Sequence, residues 1–424
     1  MNTAKSLRNF PVSGISSMVR DLSLLSAQPE KLEKEVFNNP ENLNPSLFRD
    51  IPVINEPGKE LAIGDVVLFR LGPERGAYPD METAWGSRVA LVPGRNYLGV
   101  LCERLSSKLI NAEFDKPPRL GKDLDLQFIA QAGGIGWATG FSPALERENG
   151  TGIPADVKIL GVIGHHQNPE VSLNIIEHTK LYGNETIERR IPHVLCVGTA
   201  TDVGKTTVMG ALLGAFSSRF VCNAVKASGT GWYEDSQIHV DGGAQLGLSY
   251  TAVGLPTTYN LPEALYLSRI SRVLDMASSI EKIPAHLLPP ELRGKSLKSP
   301  DMVFIEHGGD LIEANIPPYL ENKELMNDVR AIVICSESAV SFRGALSELT
   351  ERIGNVKPRI IANMPLVNPQ GFMRRIDSLL DSGAVAGVVD VNKPDLPIGR
   401  KRRLCYANSY ERILTPQTLI TLIQ

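Results

Sequence analysis

From residue 192 onward, near-continuously apolar runs of strand length alternate with stretches long enough for helices. The runs are VLCV at 194–197, VCNAV at 221–225, MVFI at 302–305, AIVIC at 331–335, RIIA at 359–362 and VAGVV at 385–389. Strands that are apolar at every position must be covered on both faces. With helical segments expected at 207–216 and 342–353, the alternation predicts an α/β domain over 186–424, built on a doubly wound parallel sheet. Upstream the pattern differs. Shorter runs at 66–69, 89–92, 97–101, 126–130 and 157–163 are separated by Gly/Pro turns, which predicts a smaller β-rich or α+β domain over 58–185. The first 57 residues pass from a Ser-rich start through the charged segment QPEKLEKEV at 28–36 into Asn- and Pro-rich sequence, and read as a helical arm and linker.

Composition narrows the class without naming a function. The chain has 424 residues, 42% of them apolar and 21% charged, enough for two or three globular domains. A formal net charge of -3 gives no general attraction to nucleic acid or to an anionic membrane surface, so neither is expected as a partner. No run approaches the roughly 18 apolar residues that span a bilayer, which points to a cytoplasmic protein. The first twenty residues carry Lys5, Arg8 and Arg20 with no acid, a composition shared with organellar transit segments. Of the five cysteines, Cys196, Cys222 and Cys335 lie in apolar runs without metal-ligand spacing and read as reduced buried thiols. The basic run Arg400-Lys401-Arg402-Arg403 reads as a solvated loop on a chain of net negative charge.

The chemistry starts at GTATDVGKTT, residues 198–207, which follows an apolar strand and opens a helix. That is the setting of a phosphate-binding P-loop: glycines let backbone amides converge on phosphate oxygens, and the helix adds its positive N-terminal end. Gly198, Thr201, Val203, Gly204, Lys205, Thr206 and Thr207 are the expected nucleotide-binding residues, with Lys205 on the outer phosphates and Thr206 on magnesium. Five residues separate the two glycines, one more than usual. The plain alternative is a glycine-rich strand-to-helix turn without a ligand.

A metal carboxylate belongs at the end of a second buried strand, and DMVFIEHGGD at 301–310 provides Glu306 there, followed by a Gly-Gly turn. Downstream of the P-loop, the 225–231 segment VKASGTG places Lys226 and Ser228 at another strand end, where a lysine can neutralise a transferring phosphoryl group. Asp241 is the expected third member of the metal shell with Thr206 and Glu306, and Asp235 is its rival. His307 is a candidate proton acceptor or a structural strand-end histidine. Trp137, Trp232 and Tyr233 are pocket or core aromatics, and Arg343 a possible phosphate contact.

Taken in order, GTATDVGKT, VKASG, the strand ending IEHGG and IANMP at 361–365 resemble dethiobiotin synthetase and its relatives among the P-loop amidoligases. The resemblance spans about residues 192–389. It implies that Lys205 and Thr206 serve phosphate and magnesium, that Lys226 and Ser228 contact carbamate and phosphates, that Glu306 holds magnesium, and that Asn363 reads adenine. Asp202, before VGK, would face substrate or metal. Ala200 stands where that family has aspartate and His307 where glycine is usual, and the synthetase has no comparable N-terminal domain. A second resemblance is to a two-domain P-loop family that includes D-glutamate N-acetyltransferases, in which the loop would hold phosphates of coenzyme A; it rests on Thr230, Gly231, Asp241, Gly243 and Ala244. The leading expectation is an ATP- and magnesium-dependent ligase that activates a carboxylate or carbamate of a small amine-bearing metabolite. The alternatives are an acyl-CoA-dependent N-acyltransferase and a non-catalytic nucleotide switch. A homodimer is expected in each case.

Overall fold

The computed structural model describes residues 5–7, 10–41, 43–48, 50–106, 109–121, 124–142, 153–165, 167–391 and 414–423. The basic run at 400–403 lies outside them. The chain divides into two compact units: Met1–Leu181 with Thr230–Glu234 and Tyr250–Asn260, and Tyr182–Gly229 with Asp235–Ser249 and Leu261–Gln424. Among the described residues, no helix is long and apolar enough to cross a membrane.

In the first unit four of the five turn-punctuated apolar runs pair into one sheet, while the run at 89–92 enters a separate two-stranded pairing of Arg88–Ala90 with Asp80–Glu82. Ala155–His165 lies beside Val66–Leu71, which lies beside Asn96–Leu101, then Gly134–Gly136 and Leu126–Ala130. Ala155, Asp156 and Val157 also pair with Phe128, Gln127 and Leu126, so the path returns to its starting strand and closes. Closure leaves no open edge along these five strands. Phe69 stacks on Tyr97 with ring centroids 5.6 Å apart and meets Phe128 at 6.2 Å, within the buried core. Residues before 57 do not stand apart as an arm. Val12–Ile15 pairs parallel to Asn96–Leu101, and Pro52–Ile54 pairs with Ala155–His165; between them in sequence lies the α-helix Pro29–Asn38. Short strands separated by polar sequence gave little periodicity to read, and pairing with distant strands makes them β.

Among the described residues the second unit holds seven strands, labelled in chain order: β1 His193–Gly198, β2 Cys222–Ser228, β3 Leu246–Ser249, β4 Met302–His307, β5 Val329–Cys335, β6 Arg359–Asn363 and β7 Gly387–Val389. All pairings are parallel and the order is β3-β2-β4-β1-β5-β6-β7, so β1 lies between β4 and β5. Helix α1, Lys205–Phe216, packs Val208, Leu212 and Phe216 on the face that shows Val194, Cys196 and Phe304. The fully buried Phe216 ring, 5.3 Å from Phe304, is worth about 1.5–3 kcal/mol in burial alone. Asn223 points the other way, donating to the Ala277 carbonyl of the helix Glu263–Ser278, so helices cover both faces. Parallel order brings every strand's C-terminal end to one edge, where the loops after β1, β2 and β4 meet.

Candidate functional site

The P-loop leaves β1 at Gly198 and enters α1 at Gly204, with Asp202 and Gly204 at positive φ, 59° and 88°. Gly204 caps α1 without a side chain, so no side chain of the cap competes for the first-turn amides. Lys205 curls back over the loop: its ammonium donates to the carbonyls of Ala200 at 2.6 Å and Gly309 at 2.9 Å. A Cβ on Gly198 would sit 2.8 Å from Lys205 Cδ and 2.9 Å from its Nζ, so this path of the lysine requires glycine at 198. Burial, followed by the neighbouring Lys226 charge, lowers the Lys205 pKa.

Glu306, wholly buried at the end of β4, is where the loops converge. Its Oε1 accepts from the Thr206 hydroxyl at 2.9 Å and the Lys226 ammonium at 2.5 Å, and its Oε2 lies 2.8 Å from His239 Nε2. Lys226 also reaches Asp235 at 2.9 Å. Burial by itself would raise the Glu306 pKa, but the Lys226 charge and the His239 contact outweigh it and hold the carboxyl well below its usual range. The same balance runs the other way at Lys226: burial is outweighed by Asp235 and Glu306, and the ammonium is held more firmly charged than an ordinary lysine.

Ser228 and His307 pair at 3.2 Å through Nδ1, and Ser228 donates to the Gly308 carbonyl at 3.0 Å. Burial, then Lys226, lowers the His307 pKa to about 3, so the ring is neutral at physiological pH. The His307 and Tyr319 rings meet edge-on, with centroids 4.5 Å apart. Close approach explains the Gly-Gly turn: a Cβ on Gly308 would lie 2.5 Å from the Ser228 carbonyl oxygen.

On the far side of the P-loop lies a cavity of about 460 Å³, lined by Asp202, Val203, Gly204, Thr207, Ser336, Asn363 and residues 364–367. Ser336 and Asn363 are nearly fully buried, and Ser336 Oγ and Asn363 Oδ1 have no hydrogen-bond partner among the described residues. Unpaired buried polar atoms are costly, and two of them facing one cavity suit a polar ligand.

Thr206, Lys205, Lys226 and Glu306 thus come together, with Gly198, Val203 and Gly204 shaping the loop and Thr207 and Asn363 at the cavity. Thr201 lies within the same loop. Asp241 does not join the metal group. It is exposed and accepts from Gln237 at 3.3 Å. The helix Tyr233–Gly242 turns about 200° between His239 and Asp241, so when His239 faces Glu306, Asp241 faces outward. Arg343 is spent on the Arg375 carbonyl and Ser378, away from the loop. Trp137 is exposed at 44%, Trp232 packs on the first unit's core, and Tyr233 meets Trp85 edge-on. Cys102, Cys196, Cys222 and Cys335 are free and buried, with the sulfurs of Cys196 and Cys335 3.7 Å apart. The sequence reading missed His239 and Ser336. Asp235 and His239 are four residues apart, the spacing that stacks two side chains on one helix face, but without a predicted helix that spacing has no meaning.

The oxygen donors of Thr206 and Glu306 suit a hard cation such as magnesium. No protein-family model and no curated protein matches the chain. Among solved structures it is similar to a plasmid partition protein from Borrelia burgdorferi B31 bound to AMPPNP, at 13% identity and TM-score 0.30 over 55% of this chain and 98% of that one. It is also similar to the cell division protein FtsY from Thermotoga maritima, at 15% identity and TM-score 0.30 over 59% and 74%. A third is FlhF complexed with GMPPNP and magnesium, at 10% and 0.29 over 57% and 78%. These likenesses are too loose to speak to function. The assignment of a mixed α/β unit with a P-loop rests on its own sheet, loop and helix.

Proposed function

We propose that the second unit binds ATP with magnesium and acts as a C–N ligase, activating a carboxylate or carbamate of a small amine-bearing metabolite. The strand order reverses about β1, in keeping with a doubly wound sheet whose ligand sits at the switch point. In this reading Lys205 leaves its two carbonyls for the outer phosphates, first-turn amides of α1 cradle them, and Asn363 and Ser336 give the base its polar contacts. Magnesium, held by Thr206 and Glu306, supplies neutralisation of phosphate charge. The substrate oxyanion takes the γ-phosphoryl group and ADP leaves. The amine then attacks the acyl phosphate, the C–N bond forms, phosphate departs and the amine proton is released.

The observation that carries this reading is Lys226. It is a second buried ammonium beside the P-loop lysine, its charge balanced here by Asp235 and Glu306, and it stands where a transferring phosphoryl group would need neutralising. A second reading, acyl transfer from acyl-CoA, uses the same loop and helix N-terminus to hold coenzyme A phosphates. Thermal-shift binding with ATP and magnesium, ADP, GTP, acetyl-CoA and CoA separates the two. A ligand at about 100 times its Kd adds about 2.7 kcal/mol of stability. Stabilisation by ATP and magnesium supports the ligase, stabilisation by acyl-CoA alone replaces it with the transferase, and indifference to all five removes both.

A further inference from the structure

Glu306 is held from a direction the metal assignment does not require. The helix Tyr233–Gly242 presents two side chains four residues apart, each engaging one partner of a buried ion pair: Asp235 reaches Lys226 at 2.9 Å, and His239 reaches Glu306 Oε2 at 2.8 Å. Neither His239 nor Glu306 has any exposed side-chain surface. A carboxylate only accepts, so the imidazole nitrogen facing it carries the proton and donates. Among the described residues, His239 Nδ1 is buried without a hydrogen-bond partner and Glu306 is the one polar group that fixes this ring. With Oε2 pinned, the carboxylate cannot rotate about its Cγ–Cδ bond, and Oε1 stays turned to the Thr206 hydroxyl.

We propose that His239 is a positioning residue for Glu306, orienting its carboxylate toward the cation that accompanies the nucleotide. The role rests on the nucleotide reading above, and it assigns to the helix after β2 the outer support that metal-binding carboxylates generally need. His239 touches neither phosphate nor cation in this arrangement; it acts through Glu306.

The test uses the full chain and thermal-shift titration of magnesium at fixed ATP, with ATP in EDTA as the metal-free control. His239→Leu should raise the magnesium concentration for half-maximal stabilisation by roughly 10- to 100-fold, the usual effect of losing such a support, while leaving the metal-free ATP shift unchanged. His239→Gln, whose amide can still donate to Oε2, should recover most of the loss. A purely structural role would lower the melting temperature of both variants and leave the magnesium midpoint alone. Should His239→Leu fail to fold, His239→Asn, whose amide stops short of Glu306, takes its place with the same rise expected. An unchanged midpoint in Leu or Asn, or an equal rise in Gln, overturns the role. A parent chain unaffected by ATP and magnesium overturns the nucleotide reading and the role together; a parent that responds beside indifferent variants overturns the role alone.

Discussion

Lys205 is nearly buried, its charge satisfied by two backbone carbonyls, so the apoprotein does not depend on a phosphate to hold it. Replacing it by alanine removes a charge-assisted phosphate contact worth roughly 1.5–3 kcal/mol while sparing a desolvation cost in the free protein. The expected result of Lys205→Ala is ATP affinity lower by about 10- to 150-fold with an apoprotein melting temperature close to the parent's, measured by calorimetric titration and heat unfolding. ATP bound as tightly as by the parent would remove the P-loop assignment. His193, at the start of β1, behaves differently. Burial lowers its pKa to about 4, and neither ring nitrogen has a hydrogen-bond partner among the described residues. The unfolded chain binds a proton there below about 6.5 and the folded chain does not, so this contribution to stability is complete above 6.5 and shrinks as pH falls toward 4. The slope is about 1.4 kcal/mol per pH unit. Heat unfolding between pH 7.5 and 4.5 should show a steeper acid loss in the parent than in His193→Leu; equal slopes would mean that His193 is protonated in the folded state.

At the scale of elements, two features carry testable cost. The P-loop needs glycine at 198 because a methyl there meets Lys205 and Val203 Cγ2 at 2.8–2.9 Å. Lys205 is flexible, so Gly198→Ala should leave the fold intact and move the lysine off its path, weakening nucleotide binding more than stability. Paired binding and unfolding curves decide this, and a stability loss with unchanged binding would contradict it. The helix Ala339–Ile353, which follows β5, starts at a capping box: Ser338 Oγ accepts from Ser341 N and Ser341 Oγ from Ser338 N, at 3.2 and 3.1 Å. Ser338→Ala should cost about 1 kcal/mol, read as a lower denaturation midpoint with the slope unchanged. The helix Tyr233–Gly242 illustrates the opposite case, since its sequence YEDSQIHVDG has no apolar stripe to announce it. Its placement comes from buried polar contacts.

For the whole molecule, the chain crosses between units more than once. Thr230–Glu234 and Tyr250–Asn260 belong to the first unit although they follow the P-loop in sequence. Within that unit, Glu82 accepts from the amides of Tyr233 and Glu234 at 2.8 Å each, and Asn260 donates to Glu103 at 2.8 Å. A fragment spanning 182–424 therefore carries two segments torn from their packing. Its unfolding should be broad and its melting temperature well below that of the full chain, as circular dichroism would record. A sharp transition at the parent's temperature would show that these segments contribute nothing to the second unit's folding.

Local sequence was sufficient wherever one stretch of chain does the work alone. Six of the seven parallel strands appear as apolar runs because burial on both faces leaves no polar alternation, and the P-loop appears as a string because its loop geometry is built from consecutive residues. Glu306 and Lys226 were legible as strand-end residues for the same reason. The short strand Leu246–Ser249 was not, since four residues give no period. What only tertiary structure decided is which distant groups meet. Strand order sets β4 beside β1 and β2 beside β4, bringing Glu306 to Thr206 and Lys226, and the rotation of one helix gives that site His239 and Asp235 and turns Asp241 away. The early segments that read as an arm became strands of the first sheet by pairing across long sequence separations. Side-chain chemistry is written residue by residue, whereas the partners that shift a pKa or orient a carboxylate are fixed by register and helix phase, which depend on the packing of the whole unit.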